Sequence, residues 1–118
     1  MNTGDRIEVQ FHYGHTGTTT AFTGEVRWGT ATALTRTSVA AETALAGHLS
    51  FAILASGQSF DAQSWGNSFA VDNAVGLMSA DTSQDLTISL RGQMAATTAD
   101  SVALRNFTVL RYPAQANP

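Results

Sequence analysis

Asp5-Arg6-Ile7-Glu8-Val9-Gln10-Phe11-His12-Tyr13 decides the fold class. Ile7, Val9, Phe11 and Tyr13 fall on one side of this stretch, and Arg6, Glu8, Gln10 and His12 on the other. Strand side chains alternate between two faces, so the stretch reads as a half-buried strand of an antiparallel sheet. Leu86, Ile88 and Leu90 repeat the pattern near the other end, alternating with Thr87, Ser89 and Arg91. Between them, Phe22, Val26 and Trp28 are in phase within a strand expected at about Thr20–Trp28, which places Trp28 in the core.

Working outward, Gly14-His15-Thr16-Gly17 reads as a turn, because two glycines permit positive φ. A shorter strand is expected over Thr32–Thr37. The Ala-rich stretch Ser38–Ala46 is too short for a stable isolated helix and is read as a loop or single turn. Leu45, Gly47, Leu49, Phe51 and Ile53 then restore the alternation. Their opposite face, with Ala46, Ala52 and Leu54, is also largely apolar, as if covered by a neighbour. Further strands are expected at Ser59–Ser64, Ser68–Val71, Leu86–Arg91 and Ser101–Tyr112, with a turn at Trp65-Gly66-Asn67. Roughly seven to nine strands, with turn signals about every 8–12 residues, point to an all-β, antiparallel, jelly-roll-like β-sandwich of about eight strands.

In the last strand Val102 and Leu104 have one parity, and Phe107 and Val109 the other. Either a bulge near Arg105-Asn106 resets the register, or a neighbouring subunit covers a second apolar face. In the second case Leu54, Phe107 and Val109 lie in an oligomer interface, where Arg105 and Arg111 pair with carboxylates.

Composition narrows the function. A chain of 118 residues forms one domain, residues 1–118, and is expected to be cut from a longer protein. Charged residues are 13%, about half the usual share, which suits strands and faces covered by identical neighbours. The six basic residues are all Arg and are scattered; with a net charge of −3, nucleic acid is not an expected partner. No apolar run approaches the length of a membrane span, so membrane insertion is not expected. Without cysteine there is no disulfide, thiol nucleophile or zinc-thiolate site.

No catalytic constellation emerges. Ser64-Trp65-Gly66 is not a nucleophile elbow. Asp61 with Asp72, and Asp81 with Asp85, lie in turn-rich sequence where Asp is common for local reasons. His12, His15 and His48 lack the spacing and acidic company of a metal site and are read as solvent-facing; no metal or cofactor is expected. Trp65 is the strongest binding candidate, since a flat aromatic beside amide and hydroxyl groups can stack on a sugar ring. Asn67, His15 and Asp61 complete the candidate ligand contacts.

Gly4-Asp5-Arg6-Ile7-Glu8 opens the chain and Val26-Arg27-Trp28-Gly29 closes its second strand. Leu86-Thr87-Ile88-Ser89-Leu90-Arg91-Gly92-Gln93 follows later. Asp100 then leads through Leu104-Arg105-Asn106-Phe107-Thr108-Val109 to Pro113. In this order the pieces resemble the jelly-roll C-terminal domains of bacteriophage tail fibres and related virion appendage proteins. The resemblance implies a non-enzymatic homotrimer on the virion, contacting other virion proteins, that serves either attachment to a host cell-surface polysaccharide or fibre assembly. It matches poorly over Ser38–Ser83, where binding specificity would differ. A capsid decoration or head-fibre domain, and a carbohydrate-binding module of an enzyme, are the alternatives.

Overall fold

The computed structural model describes residues 1–66 and 71–115, with residues 71–73 described in backbone only. Among these are eight strands and no helix: β1 (Arg6–Thr16), β2 (Phe22–Trp28), β3 (Ala31–Ser38), β4 (Ala44–Leu54), β5 (Gly57–Gly66), β6 (Val71–Met78), β7 (Ile88–Met94) and β8 (Ser101–Tyr112). They form two antiparallel sheets packed face to face, one ordered β6-β5-β4-β1-β8 and the other β3-β2-β7. The fold is an all-β sandwich. Its sheets are unequal, five strands against three, and this order does not by itself make it a jelly roll.

The core is what the alternation predicts. Val9, Phe11, Tyr13, Leu45, Leu49, Phe51, Phe22, Val26 and Trp28 are almost fully enclosed between the sheets. The Trp28 indole stacks on Phe51 with centroids 4.2 Å apart, and Phe51 leads to Phe60 on the next strand. Fully burying one such aromatic is worth about 1.5–3 kcal/mol in transfer free energy alone. Trp28 Nε1 donates to Gln58 Oε1 at 3.1 Å, and the same oxygen accepts from Ala80 N while Gln58 Nε2 donates to Ala80 O. A buried amide thus has its hydrogen-bonding capacity met inside an apolar layer. Across the sandwich, Tyr13 OH donates to Arg91 O at 2.8 Å. Burial, and then the Glu25 charge, push that phenol up to about 12. Close packing also explains Gly47, where a Cβ would sit 2.3 Å from the Phe11 ring.

Several boundaries differ from the sequence-based expectation. β1 runs through Gly14 and His15 to Thr16, because Gly14 still pairs with Ala44 and His15 N donates to Thr43 O at 2.9 Å. The turn begins only at Gly17, whose φ of +101° requires glycine. Likewise β5 continues through Trp65 and Gly66, which pair with Ala46 and Leu45. The Ala-rich stretch expected as a loop over Ser38–Ala46 is one only at 39–43; Ser38 ends β3 and Ala44–Ala46 open β4. The expected strand Ser68–Val71 lies almost wholly outside the described residues, and β6 runs on from Val71 to Met78.

The parity change in β8 is a bulge. His12 pairs with Asn106 while Tyr13 pairs with Leu104, leaving Arg105 as the extra residue. Val102, Leu104, Phe107 and Val109 therefore share the inner face, opposite His15, Tyr13, Phe11 and Val9. This corrects the expectation that Phe107 and Val109 belong to a second, outer face. They are nonetheless 57% and 42% exposed. Gly92 of β7 lies over Val102, which is half-buried, while the other β8 residues are exposed.

Candidate functional site: a groove on the outer face of the larger sheet

The outer face of the five-stranded sheet carries the side chains left over by the core. Register aligns them in rows. Thr108, Gln10, His48 and Gln63 form one row across β8, β1, β4 and β5; Asn106, His12, Ala46 and Trp65 form the next. Between these two rows is an open concavity of about 440 Å³. Its floor is low where Ala46 and the Gly47 backbone sit, and Trp65, 40% exposed, stands at its side. Among the described residues, the Gln10, Gln63 and Asn106 amides, the His12 ring and the Trp65 N–H have no side-chain hydrogen bond within the chain. All five residues line the groove. A flat ring beside amides, imidazoles and a hydroxyl is a surface that accepts a polyhydroxylated ligand: C–H faces stack on the ring and hydroxyls exchange hydrogen bonds with the amides.

The residues named from sequence are not all brought together. Trp65 is in the groove. Asp61 is exposed on the same outer face, one row beyond Gln63, in register with Ser50 and Glu8. Asn67 lies outside the described residues, as does the side chain of Asp72. His12 is exposed and His48 half-buried, with Nε2 3.9 Å from Glu8 Oε2. His15 is the correction: it is neither solvent-facing nor able to touch a ligand, because it is 4% exposed. Its Nδ1 meets Glu42 O at 2.8 Å and its Nε2 meets Asp100 Oδ2 at 3.1 Å, with the Phe22 ring against it. Period 2 carries it inward from Tyr13, once β1 extends past the glycine. The groove residues Gln10, Gln63, Asn106 and Thr108 were not singled out from sequence; their only local signal is outward parity on strands.

Two carboxylates serve the fold rather than the groove. Asp100 Oδ2 accepts from Thr20 N and Thr19 N, both at 2.8 Å. These bonds, Thr20 first, with the His15 contact, hold its carboxyl below the ordinary carboxylate value. Asp5 accepts from Asn2 N, Ala114 N and the Arg111 guanidinium, and the Asn2 bond leads the same downward shift. Arg111 is thus paired within its own chain. Arg105 lies over Gly14, whose missing side chain makes room for it. A third cluster, Arg36 with Glu42 and Ser64 O, closes one end of the sandwich and had no forecast in the sequence.

Among the described residues, no group of three or more His, Cys, Asp or Glu is placed to hold a metal ion. Fold and groove together define the class: a β-sandwich domain with a polar, aromatic-flanked concavity on an open sheet face. Comparison with family models, curated proteins and solved structures returned no match, so the groove's own chemistry carries the functional reading.

Proposed function

We propose that this chain is a non-enzymatic attachment domain that binds a host-surface glycan in the Trp65 groove, as part of a phage virion appendage. One observation carries the binding part: a half-exposed indole and uncommitted amide, imidazole and hydroxyl groups line the same concavity of about 440 Å³. The virion location and a homotrimeric state rest on the sequence resemblance. The uncovered apolar residues Phe107 and Val109 are consistent with a subunit contact; Leu54, on the other face of the sheet, lies apart from them. A capsid-surface or head-fibre domain is the same kind of protein in a different place on the particle.

A glycan array probed with the purified domain tests the reading. Binding to a defined glycan class, lost in Trp65→Ala with an unchanged circular dichroism spectrum, supports it. A folded Trp65→Ala variant that binds as well as the wild type overturns it. The same groove also suits a carbohydrate-binding module of an enzyme. A catalytic domain encoded in the same reading frame would favour that second reading; a fibrous region would favour the first.

A further inference from the structure

The groove is not the only concavity on the outer face. A larger one, about 660 Å³, opens at the far end of the same strands, beside Arg6, Ala52, Leu54 and Tyr112. Tyr112 is 40% exposed there. The Arg6 guanidinium lies over its ring, 4.9 Å from the centroid, and its Nε is 3.4 Å from Glu8 Oε1. An aromatic ring and a planar donor group thus repeat the pairing of chemistries found around Trp65.

Register gives the geometry between the two. Tyr112 shares a row with Arg6 and Ala52, and Trp65 shares one with His12 and Ala46. Six residues of strand rise separate these rows and three strand spacings separate β5 from β8, so the diagonal is roughly 24 Å. The residues between are polar and exposed or half-buried on β1, β4 and β5: Glu8, Ser50 and Asp61 in one row, Gln10, His48 and Gln63 in the next; Leu110 of β8, 43% exposed, ends the first row beside Tyr112.

We propose that the ligand is an extended, linear oligosaccharide that runs diagonally across the outer face, with Trp65 and Tyr112 as stacking platforms for two sugars far apart in the chain. Arg6, in contact with both Tyr112 and Glu8, donates to hydroxyls of the distal sugar. A mono- or disaccharide reaches only one platform. This deepens the glycan reading above and rests on it.

Size-fractionated ladders of linear oligosaccharides, including cello-, chito- and malto-series and O-antigen fragments, test the inference by isothermal titration. In the series that binds, affinity should rise about tenfold from the shortest ligand to the longest, the scale of one aromatic contact. Tyr112→Ala and Arg6→Gln should each remove that gain while leaving short-chain affinity unchanged; Trp65→Ala should weaken ligands of every length. Affinity independent of length, or a folded Tyr112→Ala variant that retains the full gain, overturns the extended site while the Trp65 groove stands. No binding by any ladder at any length removes both.

Discussion

Asp5 and Arg111 stand 106 positions apart in the chain and meet as an ion pair, with Arg111 Nη2 2.8 Å from Asp5 Oδ2. The carboxylate also holds Asn2 N and Ala114 N, so one buried side chain ties the segment before β1 to the segment after β8. Asp100 does the same at the opposite end of that strand pair, tying the loop after β1 to the start of β8.

Both carboxyls titrate below their ordinary value in the folded protein. A group with a lowered folded pKa stabilises the fold above its unfolded pKa and ceases to as pH falls through the folded one. Thermal stability should therefore decline from about pH 4 downward. In Asp5→Asn and Asp100→Asn, lower in stability at neutral pH, that decline should be shallower. A melting-temperature series from pH 7 to pH 2 checks it; identical slopes in all three proteins would refute the linkage.

Gln58→Ala should cost about 2–4 kcal/mol, since it leaves the Trp28 N–H and the Ala80 backbone groups without their buried partner. Urea unfolding, followed by Trp fluorescence, reads the shift in midpoint. A loss no larger than that of an exposed-site substitution would mean that water replaces the amide.

Gly47→Ala should destabilise by about 1–3 kcal/mol through overpacking, because the new methyl meets the Phe11 ring. The cost should fall when Phe11→Leu is added, and a double-mutant cycle measures that coupling directly.

No hydrolytic turnover is expected on ester, peptide or polysaccharide substrates. Glu8 and Asp61 lie in one row with Ser50 between them and are the carboxylates to watch. Product release that is lost in both Glu8→Gln and Asp61→Asn would make the domain an enzyme.

A trimer is expected by light scattering at micromolar concentration. Phe107→Glu should reduce it to folded monomers, because Phe107 is mostly exposed within its own chain, with a melting temperature that is lower and no longer depends on protein concentration. A folded wild-type monomer would leave the apolar β8 edge without the subunit contact proposed for it.

Which parts were legible from sequence follows from the range of the forces involved. Alternation in Ile7–Tyr13 and Leu45–Ile53, and the inward phase of Trp28, are consequences of strand geometry acting between near neighbours. They identified the all-β class and most of the core. The irregular parity of β8 was visible too, but its two explanations could be separated only by seeing Asn106 and Leu104 paired against His12 and Tyr13.

Everything that depends on which strands become neighbours was decided by the tertiary structure. His15 is buried because β1 outruns its glycine and Asp100 returns from the far end of the chain to meet it. Phe107 and Val109 point inward yet stay exposed because, among the described residues, the smaller sheet has only three strands against five. The groove gathers Asn106, Gln10, His48 and Trp65 from four strands. A strand's local pattern tells a side chain which face to take; only the pairing of distant strands supplies what stands beside it.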